Sequence, residues 1–417
     1  MSRLRFIGLL AALALIAAAC GGSSSDATTT TAGSGRPATT TPSDSPTTST
    51  PDGGDADEIA RQIDELIVEA QQIRGLELLQ PIDVVLLTDA EYQARFQEIL
   101  EEDLDPDDIA AINALLRMLG IISPNDDYRQ LLEVFVTTGT GGFYDSDTEE
   151  LVVRLVGDEL GPQARSVVVH EVVHALQDQH FTLLDDRENL EGDPAYVAIA
   201  IAEGDALLRE ATYVQSLSLR EQAAYVAEFS EIDLSALDAI PGYIRNSLEA
   251  PYLDGFQFHQ LIGIDSIDDQ FSDPPESSEQ LLSQTAYLRD EQPIEVTLPD
   301  LELPGYELWF DAPAGQKDLE LMLGDALSAP DAQRAADGWG GDLNRVYNAG
   351  ADEAVYVLKY VGDTKQDAEE LEAAFLEFID ELVPAGTYTF VERTDADLLV
   401  MIASDPSVGP QLEAAFS

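Results

Sequence analysis

Apolar residues recur every three or four positions in "DEIARQIDELIVEAQQIRGL", which puts Ile59, Ile63, Leu66, Ile67 and Ala70 on one face and predicts a helix ended by Gly75. The run "PIDVVLLT" then reads as a buried strand, "DAEYQARFQEILEED" as a capped helix and "DDIAAINALLRMLGII" as a second one. In "TGGFYDSDTEELVVRLVG" two short apolar runs flank Asp145-Ser146-Asp147-Thr148, the pattern of a hairpin. Pro162 is placed to start the next helix, which runs through "VVVHEVVHALQDQHF". After a loop at "DDRENLEGD", Asp193 and Pro194 suit the N-cap and first position of a helix through "AYVAIAIAEGDALLREATYVQ". A further helix is expected to begin at Pro251 in "APYLDGFQFHQLIG".

From about residue 294 the pattern changes. Strands are expected at "IEVTL" and "YELWF", a helix at "KDLELMLGDAL" and a structural turn at "DGWGGD", with Trp339 and Asp342. The strand "AVYVLKYV", the amphipathic helix "DAEELEAAFLEFIDEL" and the strands "TYTFVER" and "DLLVMIA" follow. The fold class read from this order is α+β: a mixed sheet over the histidine-bearing helix, then a helical part, in residues 56–293, and a smaller α/β subdomain in 294–417. No repeat of fixed period is evident.

Composition adds constraints. With 45% apolar residues among 417, the chain can build sizeable cores. Its net charge of -59, from 80 Asp and Glu against 21 Lys and Arg, repels phosphate backbones and excludes nucleic acid as an expected partner. The opening "MSRLRFIGLLAALALIAAAC" has two arginines before a 14-residue apolar run that is short for a membrane span and suits a signal peptide. It resembles a bacterial lipoprotein signal over residues 1–20, which implies lipidation of Cys20, the only cysteine, and a membrane-anchored, extracytoplasmic protein. Residues 21–55, rich in Ser, Thr, Pro and Gly, read as a disordered tether.

The chemistry is concentrated in "HEVVHALQDQH". Residues four apart on a helix lie about 6 Å apart in rise and on one side, so His170 and His174 can turn ring nitrogens toward one ion. Glu171, beside that face, is placed to take a proton from a water activated by zinc, the HExxH logic of zinc peptidases. A closed site needs a third ligand. His180 is one candidate, at the spacing HExxHxxGxxH, but Gln177 stands where a glycine would let the chain turn out of the helix. If the helix continues, His180 lies roughly 9 Å beyond His174 and points roughly 120° away from it. The competitor is Glu203, a carboxylate on an otherwise apolar helical stripe with Tyr196, Ile199, Ala200, Ala206 and Leu207. Small residues around it, Ala198 to Ala206, permit close approach of another helix.

The segments "GFYDSDTEELVVR", "HEVVHALQDQHF", "AEGDA", "PYLDGFQF", "DPPESSEQLL" and "GWGGD", between about Arg74 and Ile402, resemble a group of bacterial secreted proteins and lipoproteins that look like gluzincin-type zinc metallopeptidases. That resemblance implies zinc held by His170, His174 and Glu203, Glu171 as general base, and a peptide or protein substrate extended along the strand before the HExxH helix. It also implies a Tyr or His that stabilises the oxyanion, for which Tyr252 is the first candidate and His259 the second. Leu207 occupies the place, four after the glutamate, where thermolysin-like enzymes keep an orienting aspartate, so Asp205 or Asp178 is considered in that role. Two other functions stay open: a zinc-binding but inactive lipoprotein serving as a scaffold, and a metal-free solute-binding lipoprotein.

Overall fold

The computed structural model describes residues 9–13 and 53–416, apart from 147, 156–158 and 182–189. Cys20, most of the signal sequence and the tether up to residue 52 therefore lie outside the described residues, as do Asp147 of the expected turn and most of the loop before Asp193. No helix among the described residues is long and apolar enough to cross a membrane.

The chain is α+β, with two sheets. In the first part, β1 (Leu9–Leu13) is followed by α1 (Gly53–Arg74), β2 (Asp83–Thr88), α2 (Asp89–Asp103), α3 (Pro106–Met118), α4 (Tyr128–Gly139), β3 (Thr140–Asp145), β4 (Glu150–Leu155) and α5 (Pro162–His180). The helices α6 (Asp193–Ser216), α7 (Leu219–Glu231), α8 (Gly242–Ile262), α9 (Ile267–Ser272), α10 (Ser278–Leu282) and α11 (Gln284–Arg289) come next. The remainder holds β5 (Glu307–Ala312), α12 (Gly315–Leu323), α13 (Ala329–Ala336), β6 (Trp339–Asn348), β7 (Ala354–Gly362), α14 (Lys365–Glu381), β8 (Tyr388–Thr394), β9 (Asp397–Ala403) and α15 (Gly409–Phe416).

The first sheet has the order β1-β3-β4-β2, with β2 parallel to β4 and the other pairs antiparallel. The expected hairpin is β3 and β4. The run containing β2 forms a strand, at the sheet edge and half-buried instead of buried: Val84 and Leu86 pack toward the cluster around α5, Val85 and Leu87 toward the larger core. Two covered faces explain its continuous apolar run without requiring a strand on both sides. The second sheet, β5-β6-β7-β9-β8, is antiparallel throughout. One hydrophobic cluster runs from Tyr92 and Phe96 on α2 through Tyr252 on α8 to Trp339, Tyr356 and Phe375 in the last third of the chain.

α5 is buried continuously from Ser166 to Gln177, enclosed by the first sheet and by α1, α6 and α7. The sheet can approach it because β3 carries Gly141 and Gly142: a Cβ on Gly142 would lie 2.6 Å from Val167 Cγ1. The expected close approach of another helix to the small face of α6 is made by α8. There a Cβ on Gly255 would fall 1.7 Å from the Ala200 carbonyl oxygen, and one on Gly204 would fall 2.5 Å from the backbone nitrogen of Phe256.

Four local expectations are corrected. Pro251 lies inside α8, which begins nine residues earlier at Gly242, directly after Pro241, so the proline interrupts the ladder within a helix held by its packing on α6. The cap position of α6 is Gly192, with φ +62°, and Asp193 is instead buried and accepts a hydrogen bond from the Ser278 backbone N–H at 2.9 Å. "IEVTL" forms no strand: Ile294 N–H donates to the Gly340 carbonyl at 2.7 Å, and the segment makes no ladder beyond that bond. Trp339 and Asp342 belong to β6 rather than to a turn, and Asp342 accepts from the backbone N–H groups of Ala314 and Gly315 and from the Trp339 indole.

Two predictions follow from this packing. Gly255→Ala should lower stability by about 1–3 kcal/mol through overpacking at the α6–α8 crossing, read by chemical denaturation; an unchanged midpoint would show that the crossing is not tight. Burial pushes the carboxyls of Asp193 up to about 7 and Asp342 up to about 6, above their unfolded values. The folded chain then holds more protons between those limits, so stability falls as pH rises through them. Thermal unfolding of metal-free protein should occur at a higher temperature near about pH 5 than near about pH 8, and the opposite order would contradict the burial of these carboxylates.

Candidate metal centre

His170 and His174 lie one helical turn apart in the buried middle of α5, and Glu203 lies in the middle of α6, which packs against it. All three are at most 2% exposed. One donor atom from each lies within 4.8 Å of the others, so the group can hold a metal ion. Glu203 Oε2 is 3.3 Å from His170 Nε2 and 3.4 Å from His174 Nε2. The imidazole rings are 4.8 Å apart between centroids.

The far side of each ring shows what its near side is prepared to do. His170 Nδ1 is 3.2 Å from Glu210 Oε2, and a carboxylate at that position accepts, so Nδ1 carries the proton. His174 Nδ1 is 2.9 Å from Gln177 Oε1. The Gln177 amide nitrogen donates to the Ala202 carbonyl and to Asp205 Oδ2, both at 3.0 Å, which fixes its oxygen as the acceptor from His174. Both rings are thereby held with Nδ1 protonated, and their Nε2 lone pairs face the Glu203 carboxylate. His174 Nε2 is buried and satisfies no hydrogen bond.

Three electron-pair donors turned toward one another favour a cation shared among them. When a proton fills that role, the balance shows in the titration of the pair. Burial by itself lowers His170, but its bonds to Glu203 and Glu210 outweigh burial and raise it to about 10. Burial raises Glu203, but the two imidazoles outweigh it and the carboxyl is held low. Glu171, Glu203 and Glu210 are all buried, so three carboxylates surround two imidazoles. A divalent cation offsets that charge better than one proton does.

Asp205 is itself anchored. It is fully buried and paired with Arg74 at 2.7 Å and Arg209 at 2.9 Å; Arg209 also reaches the Ile73 carbonyl. Burial raises its carboxyl, but the two guanidinium groups reverse the effect and lower it. A chain of contacts thus runs from the last residue of α1 through Asp205 and Gln177 to His174.

Glu171 is fully buried on α5, and its Cγ would lie 3.6 Å from a Cβ on Gly142, so its side chain runs beneath β3. Tyr252 stacks near His170, with centroids 6.2 Å apart and planes 26° apart. Burial, with Glu203 and Glu171 nearby, keeps its hydroxyl protonated well above the usual range. His259 is also fully buried, but it engages the Ile201 carbonyl at 2.8 Å and is not one of the converging donors. Burial lowers it. It lies two turns after Tyr252 on the same face of α8, about 10 Å further along the helix, within the influence of Asp205. His180 is the last residue of α5 and contacts the Glu77 carbonyl at 2.8 Å. Asp178 accepts from the Tyr144 hydroxyl instead of orienting a ligand, and Asp205 acts on His174 only through Gln177.

Two residues escaped the sequence reading. Glu210 lies seven after Glu203, two helical turns on and on the same face, a spacing that could have identified it. Gln177, weighed only as an obstacle at a glycine position, is the partner of a ligand.

A family model described as a domain of unknown function (DUF8575) matches residues 307–407, from β5 to just beyond β9, and includes none of the metal-centre residues. No curated protein and no solved structure matches the chain.

Gln177→Leu and Glu210→Gln should each weaken metal binding by about 10–100-fold while leaving the helical circular dichroism unchanged. Competition against a chromophoric chelator measures this, and unaltered affinity in both variants would remove the proposed role of the ring partners.

Proposed function

We propose that the protein is an extracytoplasmic, lipid-anchored zinc metallopeptidase of gluzincin type. The observation that carries this reading is the convergence of His170, His174 and Glu203 with Glu171 next to them on the same helix. Two imidazoles and one carboxylate suit zinc in a catalytic rather than a closed structural site, since three protein ligands leave one position for water or substrate. Bound zinc would supply Lewis-acid activation of water and of a peptide carbonyl.

The chain's own residues supply the rest. Glu210 and Gln177 orient the two ligand rings. Glu171 is the proton acceptor, and its position under β3 places it beside the strand along which an extended peptide would run. Tyr252, buried and protonated near Glu203, is a hydrogen-bond donor toward the charge that develops on a carbonyl oxygen. The strand just before α5 is β4, which β3 and β2 pair on both sides, so the expectation of a substrate edge there is corrected and the role passes to β3, whose outer edge pairs with Leu9–Leu13 antiparallel. Removal of residues 1–20 with the signal peptide would free that edge.

A second reading, a metal-holding scaffold without turnover, is favoured by the full burial of the donors and by the strand that covers β3. Glu171→Gln separates the two. In a peptidase it should retain one zinc per chain and lose at least about 100-fold in the hydrolysis of a peptide panel. Turnover equal to that of the unsubstituted chain would sink the assignment of Glu171, and no hydrolysis by the processed, zinc-loaded chain would favour the scaffold.

A further inference from the structure

A cavity of about 350 Å³ lies apart from the metal donors, between α3, α8, α12 and the β5–β6 edge of the second sheet. On α8 its wall is Tyr243, Ile244, Ser247 and Leu248, ending one turn before Tyr252. Its volume is in the range of small-molecule sites, and its walls are chiefly apolar.

Three features define what it would take. Six aromatic side chains contribute to the lining: Tyr128, Tyr196, Tyr243, Trp309, Phe310 and Tyr356. Asp318 is the one charged residue in the lining, with no Lys, Arg or His. One Asp318 oxygen accepts from the Tyr243 hydroxyl at 2.8 Å, and the other makes no hydrogen bond among the described residues. The nearest cation in sequence, Lys317, is committed to Asp254 at 3.2 Å and Glu320 at 3.3 Å. Finally, Asn344 lines the cavity from β6, is 5% exposed, and its side chain makes no hydrogen bond among the described residues. Its amide borders the cavity rather than a protein partner, so a polar atom of a ligand can pair with it there.

An aromatic enclosure with one carboxylate attracts a positive charge through the ring quadrupoles and by direct pairing. It disfavours an anion, which would be brought against Asp318 without a counter-charge. We propose that this cavity binds a small organic ammonium ion with an apolar body, its charge against Asp318 and a polar atom against Asn344. This site is independent of the peptidase reading, since none of the metal donors lines it.

Isothermal titration of the full chain with three probes of similar shape tests this: phenethylamine as the cation, phenethyl alcohol as the neutral and 3-phenylpropionate as the anion. The cation should bind at least about tenfold more tightly than the alcohol, and the anion should not bind measurably. Asp318→Asn should abolish the preference for the cation while leaving the alcohol's affinity unchanged. If that variant fails to fold, Tyr243→Phe serves in its place, because freeing the carboxylate from its hydroxyl partner should alter the affinity for the cation and not for the alcohol. Tyramine, which adds a phenolic hydroxyl to the cationic probe, should bind more tightly than phenethylamine, and Asn344→Leu should remove that difference. Equal affinity for the three probes, no binding of the cation, or a cation affinity indifferent to Asp318 and Tyr243 would each overturn the proposal.

Discussion

Burying three carboxylates beside two imidazoles is the constraint on which the centre of this molecule depends. Glu171, Glu203 and Glu210 are removed from water along with His170 and His174, and charges so placed are costly unless paired. Pairing is achieved on both sides of the rings. Glu210 and Gln177 hold the Nδ1 protons, which commits the Nε2 lone pairs to the space beside Glu203. That space can hold a metal ion, and the same bonds that settle the tautomers turn its donors toward it.

The fold serves this arrangement by bringing backbones unusually close. Gly142 lets β3 approach α5 where Glu171 lies, and Gly204 with Gly255 lets α6 meet α8 where Glu203 and Tyr252 lie. Larger residues at these places would push the donors apart. The Arg74–Asp205–Arg209 group fixes the orientation of Gln177 from outside the centre. It links the end of α1 to a ring on α5 through buried, fully paired charge.

Much of this was legible in the sequence, for reasons that can be stated residue by residue. HExxH spacing placed two donors on one helical face, and Glu203 stood out as a carboxylate on an apolar stripe. The small residues from Ala198 to Ala206 announced a close helix crossing, which α8 makes. Glu210 carried a readable signal at two turns from Glu203 but sat among residues that look ordinary for a helix end. Gln177 could not be read, because its value comes from simultaneous contacts with His174, Ala202 and Asp205 that only the fold assembles. Pro251 misled for a related reason: tertiary packing on α6 sustains a helix through a residue that locally favours a helix start. β2 was read as buried and is half-buried, because its apolar run is shared between two partly covered faces at the sheet edge.

The measurement that bears most directly on the centre is X-ray absorption spectroscopy on protein purified without chelators, with its metal content determined on the same sample. One zinc per chain, with two imidazoles and oxygen donors in its coordination shell, is the predicted result. An absence of bound metal, or a shell of three imidazoles that would bring His180 to the ion, would contradict the account.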